Sequence, residues 1–486
     1  MSTRDAGPVT DETVARGESL QSAVAQPATT PASSGLGRIG RGRWIEHWDA
    51  EDSDFWQSRG RLIALRNLIF SILAEHIGFS VWLLWSIVVV KLYGTYAPDG
   101  TLLRAGANGW ALTASQGLTL LALASGVGAF LRIPYTFAVP IFGGRNWTVI
   151  SALLLLVPTL GLAWVLGHPE TPFTTLMVVA ATAGLGGGNF ASSMANISFF
   201  YPEREKGWAL GLNAAGGNLG AAVAQKLVPV AIGIGGWGLA SAGIVYVPLA
   251  VAAAVLAFLF MDNLREAKAD PAPTLRALGH GHTWVMALLY VGTFGSFIGY
   301  SSAFPTLLTV TFGRPDIALA WGFAGTLLGS LIRPVGGRLA DRFGGAVVTV
   351  AALLAMAGAG YAAVVSVQHR DLTAFFSSFL ALFVFTGVGN GSTYRMIPAI
   401  FGRLRERSEA PDATLDYKRR AAGAVGIISS IGAFGGFAIP FVYLWSRERF
   451  GGSIVPALEL YVGVFLALAL VTWVFYLRRG AALRGV

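Results

Sequence analysis

No cysteine occurs anywhere in the 486 residues, and charged residues are scarce at 13%. The first absence excludes disulfides and every thiolate-based metal or redox site. The second falls well below the quarter or so that soluble domains carry, so there is too little charge to solvate a surface of this size. Acidic residues are the scarcer sign, with 26 Asp and Glu against 35 Lys and Arg. Long polar stretches are also few after about residue 66. In their place stand 54% hydrophobic residues, a mean hydropathy of +0.60 and closely spaced apolar runs. A run of about 20 such residues is what a helix needs to cross the hydrocarbon core of a bilayer. The 62 glycines and 21 prolines do not oppose helices there. Small residues let helices approach closely, and neighbouring helices satisfy the backbone groups that a proline frees. A net charge of +9 would suggest nucleic acid in a soluble protein; in this chain its placement matters more, and we expect no nucleic-acid partner.

The chain divides by composition. Residues 1–42 are rich in Ser, Thr, Ala, Pro and Gly without apolar periodicity, and are expected to form a disordered cytoplasmic tail. Residues 43–66 mix Trp with charges, as expected of a segment at the membrane surface. Twelve spans follow, expected at about 67–90, 113–141, 147–167, 173–200, 208–234, 237–261, 283–311, 318–340, 346–366, 373–400, 420–446 and 455–477. The polar connector 262–282 separates a six-helix bundle over 67–261 from a second over 283–477, and residues 478–486 form a short cytoplasmic tail.

Lys and Arg in the connectors set the orientation. The connectors after even-numbered spans hold Arg145; Arg204 and Lys206; Arg265, Lys268 and Arg276; Arg338 and Arg342; and Arg403, Arg405, Arg407, Lys418, Arg419 and Arg420. The other side has only Lys91, Arg104, Arg314, Arg370, Arg447 and Arg449. Both termini add arginine to the richer side, so both are expected in the cytoplasm of a multi-pass protein of the plasma (cell inner) membrane.

The halves echo each other. LRIPYTFAVPIFGGRNW (Leu131 to Trp147) closes span two and LIRPVGGRLADRFGG (Leu331 to Gly345) closes span eight. GLGGGNF (Gly184 to Phe190) opens span four, and GVGNGSTY (Gly387 to Tyr394) lies in span ten. Pairings about 200 residues apart indicate two parallel repeats with a substrate site between them near the midplane. The expected fold class is an all-α membrane protein of twelve helices in two pseudo-symmetric six-helix bundles.

Once loop cations are set aside, Arg132, Lys226, Arg333 and Arg395 remain inside spans, against one clearly buried carboxylate, Glu75, with His76 beside it. Glu459 lies close to the outer end of span twelve. A cation at the bilayer centre costs at least about 2.5–3.5 kcal/mol, so it has a partner or a task. The bland reading is a structural ion pair or snorkelling, which suits Lys226 and Arg395. One carboxylate cannot neutralise both Arg132 and Arg333. The sharper reading makes the missing negative charge the substrate: a small oxyanion held between two guanidinium forks, one from each half. The stretches around Gly187, Gly188 and Gly389 read as close-packing helix faces. Packing alone does not require Asn189, Asn196, Asn213 and Asn218, whose amides need partners in a membrane. Tyr290, Phe294 and Phe297 recur on one helix face, either as packing or as a clamp on a planar anion.

GGRLADRFGG (Gly336 to Gly345) resembles the cytoplasmic loop motif of the major facilitator superfamily. GLGGGNFASSMANISFFYP (Gly184 to Pro202) and GVGNGSTYRMIP (Gly387 to Pro398) resemble the two nitrate signatures of the NarK-like nitrate/nitrite porters. The likeness spans everything after about Arg66. It implies alternating access around a central site that takes nitrate and nitrite. By motif position it implies Arg132 and Arg333 as substrate arginines, Phe190 and Phe294 as the aromatic clamp, and Tyr290 and Asn218 as polar contacts. Gly435 and Gly436 fall where the family uses small residues for helix movement. The family contains both nitrate/nitrite exchangers and nitrate/proton symporters. Obligatory exchange follows if an empty site leaves two arginines unneutralised and so raises the barrier to reorientation. The alternative is proton symport through Glu75 and His76, whose structural reading is that Glu75 partly balances a buried arginine while His76 makes a local hydrogen bond.

Other classes fit less well. A proton-coupled sugar or drug carrier would need more buried acids. An enzyme would need a catalytic or metal-binding cluster, which His47, His76, His168, His280, His282 and His369 do not form within the membrane. A nitrate sensor would bind without transporting. No enzyme activity, metal or cofactor is expected; the expected partners are nitrate, nitrite, the lipid bilayer and, under symport, protons.

Overall fold

In a bilayer an apolar run has one low-cost conformation, because a helix satisfies every backbone N–H and C=O within the segment. The computed structural model of the chain contains twelve helices of spanning length among the described residues. They are α1 (Ser53–Leu92), α2 (Ala114–Phe142), α3 (Gly144–Leu166), α4 (Phe173–Phe200), α5 (Glu203–Ile234), α6 (Gly238–Phe260), α7 (Gly281–Phe312), α8 (Pro315–Phe343), α9 (Gly345–Gln368), α10 (Leu372–Glu406), α11 (Gly423–Arg449) and α12 (Val455–Leu477). The structure describes residues 36–486 except 235, 268–275, 407–412, 482 and 484–485, together with the backbone but not the side chains of 413–419 and 422. The tail expected over 1–42 therefore lies outside the described residues up to residue 35, as does the middle of the 262–282 connector.

Helices α1 and α10 run well beyond their expected ends. The first begins at Ser53 rather than near 67, so the surface segment expected over 43–66 is continuous with α1 across most of its length. The Asp52 side chain accepts from the N–H groups of Asp54 and Phe55, capping the new start. Trp56 is buried there, with its indole N–H donating to Glu205 Oε1 at 3.0 Å. Charged residues dilute hydropathy without stopping helical hydrogen bonding, which is why the apolar run understates α1. For the same reason α10 continues to Glu406 through a basic last turn.

At that end of the first six helices, Trp44–Ile45 (β1) pairs in parallel with Asn263–Leu264 (β4). A second small pair, Thr95–Tyr96 (β2) with Leu102–Arg104 (β3), lies in the α1–α2 connector. Beside β4, Asp262 is fully buried. Arg43 and Arg66 lie 2.7 and 2.5 Å from its oxygens, and Asn67 Nδ2 donates at 2.9 Å. Arg145, expected as a loop charge, is nearly buried and donates twice to the Phe258 carbonyl, at 2.9 and 2.7 Å. We call this side, which holds the even-numbered connectors, the basic face.

The internal repeat is visible in the backbone. α2 and α8 each end on a glycine with positive φ, Gly143 at +86° and Gly344 at +90°. A β-carbon is disfavoured in that region. The two glycines are 201 residues apart, as are Arg132 and Arg333. Equivalent turns thus place one arginine on each half at the same depth.

Candidate functional site

Depth alone does not keep an arginine from snorkelling; its surroundings must close over it. Lys226 is exposed, with Nζ 3.5 Å from the Ala320 carbonyl, and Arg395 is exposed and paired with Asp341. Arg132 and Arg333 are enclosed, at 0% and 4% exposure. Among the described residues, no carboxylate approaches either of them within ion-pair distance, 4.0 Å.

Backbone and rings take the place of a counter-ion. Arg132 Nε donates to the Gly187 carbonyl of α4 at 3.1 Å, and Nη1 donates across to the Ser429 carbonyl of α11 at 3.2 Å. Its guanidinium carbon lies 4.5 Å from the Phe190 ring centre, 5.0 Å from Phe294, 5.2 Å from Trp82 and 5.9 Å from Phe79. On the other half, Arg333 Nη2 donates to Tyr290 Oη at 3.3 Å, and the guanidinium lies 5.3 Å from the Tyr394 ring. Each arginine retains one buried nitrogen without a partner, Nη2 of Arg132 and Nη1 of Arg333.

A stack of rings joins the two. Tyr290 stacks on Phe294 with centroids 5.1 Å apart, and Phe294 stacks on Phe190 of the other bundle at 5.8 Å. The expected stripe on α7 is split, because Val291–Gly295 forms a π-helical turn. That turn keeps Tyr290 and Phe294 at the arginines. Phe297 instead packs edge-on against Phe383, and Tyr300 against Phe379 and Tyr461. The clamp expected around an anion here closes on a guanidinium, since Phe190 and Phe294 both lie against Arg132.

Asn218 is fully buried and neither end of its amide has a partner; Asn196 is alike. Asn189 accepts from Ser151 Oγ at 3.0 Å. Glu75 is fully buried one turn before Phe79. One oxygen accepts from Ser193 Oγ and from Asn213 Nδ2, the latter at 2.7 Å; the other oxygen has no partner. Among the described residues Glu75 makes no ion pair with an arginine, and hydroxyl and amide groups hold it instead. His76 turns away, with Nδ1 bonded to the Gly216 carbonyl at 3.0 Å. The named glycines sit at close helix approaches: Gly188 against Tyr135, Gly389 against Thr293, Gly435 against Gly295 and Gly436 against Ile298. Trp82, Phe79 and Tyr394 were not anticipated. The one available signal was their helical spacing from Glu75 and from the glycine-rich stretch.

On the side away from the basic face the two bundles are tied together. Gln225 of α5 is buried, and its amide donates to Ser86 Oγ at 3.0 Å and to the Ser301 carbonyl of α7 at 2.6 Å. It accepts from Thr326 of α8 at 2.9 Å, and Tyr93 meets Thr306 at 3.1 Å. Gln225→Ala removes the shared partner of three groups, each bond worth about 1 kcal/mol. The cysteine-free chain allows a clean test. With Ser302→Cys as the only thiol, Gln225→Ala should raise maleimide labelling from that side about tenfold; unchanged labelling would show that the amide does not hold the closure.

A family model described as Major Facilitator Superfamily matches residues 67–440. The chain is 37% identical over 461 residues to an Escherichia coli protein described as nitrate/nitrite transporter NarU, covering 90% of this chain and 96% of that one. It is 30% identical to the probable nitrate/nitrite antiporter NarK2 of Thermus thermophilus, covering 91% and 98%. Among solved structures, the crystal structure of a D-xylose-proton symporter matches with a TM-score of 0.63 over 85% of this chain and 97% of that one, at 15% identity, a likeness of fold alone. With two bundles of six helices around a shared pair of buried arginines, the chain belongs to the NarK-like nitrate/nitrite porter family of the major facilitator superfamily.

Proposed function

We propose that the chain exchanges nitrate for nitrite across the plasma membrane by alternating access, binding each anion between Arg132 and Arg333. The observation that carries this reading is the pair of buried guanidinium groups, each with an unpartnered nitrogen and neither with a carboxylate in ion-pair distance among the described residues. A planar monoanion supplies the missing charge and accepts from both forks. Tyr290 adds a hydroxyl, Asn218 an amide donor, and Phe190 and Phe294 the walls. The basic face is cytoplasmic and carries both termini. The bundles over 67–261 and 283–477 rock about the site, and the linker over 262–282 joins them. In this state the outer side is closed by Gln225 and the Tyr93–Thr306 contact.

Exchange follows from electrostatics. An unloaded site must move two unneutralised cations through the low-dielectric midplane, whereas a monoanion lowers that charge. Carrying one anion inward against 100 mV costs about 2.3 kcal/mol, and one-for-one exchange avoids that cost. A second reading, nitrate/proton symport, is favoured by one observation. Glu75 is a buried acid that no arginine pairs, and Ser193 links it to Ser71 Oγ at 3.0 Å, one turn nearer the cytoplasm.

Purified protein in liposomes at equal internal and external pH separates the two. Labelled nitrate should enter only when nitrite or nitrate is trapped inside, and Glu75→Gln should exchange within about threefold of wild type. Rapid uptake into vesicles holding only an inert anion, increased by an inward proton gradient and lost in Glu75→Gln, would overturn exchange in favour of symport.

A further inference from the structure

Two of the four rings around Arg132, Phe79 and Trp82, come from α1, a helix to which the transport reading gives no part in binding the anion. Trp82 is fully enclosed. Its indole N–H donates to the Ala124 carbonyl at 3.0 Å, pegging the ring to α2, the helix that carries Arg132 two turns further on. The indole also lies in a notch made by two glycines. A β-carbon on Gly187 of α4 would stand 2.5 Å from Trp82 Cε2, and one on Gly128 of α2 would overlap the indole nitrogen. The same Gly187 presents its carbonyl to Arg132 Nε at 3.1 Å. Ring, notch and carbonyl therefore meet around one guanidinium. An indole face is the strongest π partner for a cation, and the attraction grows when water is excluded.

We propose that Trp82 is a positioning residue for anion binding. Seated in the Gly128–Gly187 notch, it holds the Arg132 fork in the orientation that presents its unpartnered Nη2 to the substrate. The inference rests on the reading of Arg132 as an anion ligand. It assigns the glycine-rich start of α4 a task beyond helix packing: the missing side chain at Gly187 makes room for the ring that orients the arginine.

The test uses full-length protein in liposomes loaded with nitrite, with initial rates of labelled nitrate uptake measured against concentration. Nitrate-induced rise in melting temperature serves as a readout that does not depend on turnover. Trp82→Ala should raise KM about tenfold or more and abolish the thermal shift, with Vmax per folded protein changed less than about threefold. Trp82→Phe, which keeps a π face, should recover most of the affinity. Gly187→Ala, which evicts the ring, should reproduce the rise in KM. If Trp82→Ala is not recovered folded, Trp82→Leu, which fills space without a π face, decides on the same scale. A wild-type KM in Trp82→Ala or Trp82→Leu, or losses that follow only the amount of folded protein, would overturn the positioning role. Wild-type protein that neither transports nor is stabilised by nitrate would overturn the transport reading instead.

Discussion

Replacing Arg333 or Arg132 by Lys should lower nitrate transport by at least about 100-fold while leaving the protein folded. Lys keeps the formal charge but not the geometry. An ammonium is a compact, strongly hydrated point, whereas a guanidinium presents several donors in one plane and tolerates desolvation against rings. At 333 the substitution forfeits the bond to Tyr290 Oη together with the free Nη1. At 132 one headgroup would have to replace bonds to two backbone carbonyls from different helices, beneath four rings. A hydrogen bond to a charged group contributes about 1.5–3 kcal/mol, so two lost in the loaded state correspond to between about 10² and 10⁴ in affinity. Proteoliposome uptake reads the loss, and the nitrate-induced shift in melting temperature shows whether binding fails with it. An Arg333→Lys protein with wild-type KM and rate would remove the bidentate anion site from the account.

What could be read from the sequence depended on how local the physics was. The spans follow from short-range hydrophobicity, and nearly all of the twelve lie within a few residues of their expected ends. The arginines were legible by elimination, because a cation far from any interface can neither snorkel nor be ignored. The misplacements are long-range. Asp262 stands first after an apolar run and reads as a loop residue; its burial depends on Arg43 and Arg66, about 200 residues earlier in the chain. Trp82 reads as one more apolar residue of α1, and only the arrival of α2 and α4 turns its ring toward a guanidinium. The stripe on α7 assumed 3.6 residues per turn. The π turn at Val291–Gly295 inserts one extra residue, equivalent to about 100° of rotation, and sends Phe297 to a different neighbour from Phe294. A π turn has no reliable signature in a single sequence, since the helices packed around it decide whether the insertion is tolerated.

That turn also sets the second large effect. Gly435→Ala should cut transport by about 100-fold or more, and more severely than Gly436→Ala. The helical hydrogen bonding of α11 is interrupted between Ala433 and Gly435. Gly435 lies against the π turn of α7, where an added β-carbon would stand 2.5 Å from Gly295 Cα and 2.9 Å from the Val291 carbonyl oxygen. Both obstacles are backbone, which has no rotamer to change, so the helices must part. Parting them moves the turn that carries Phe294 and follows Tyr290, and it shifts the helix whose Ser429 carbonyl accepts from Arg132. The β-carbon of Gly436→Ala would meet Ile298 Cγ2 at 2.7 Å, a side-chain methyl rather than backbone. Overpacking of that kind costs about 1–3 kcal/mol. Gly463→Ala, with nothing within 4 Å of the new carbon, serves as a control and should behave as wild type. The order of the three in uptake rate, each normalised to folded protein, tests whether α7 and α11 must touch backbone to backbone during the cycle. A Gly435→Ala protein as active as the control would mean that this contact is dispensable for transport.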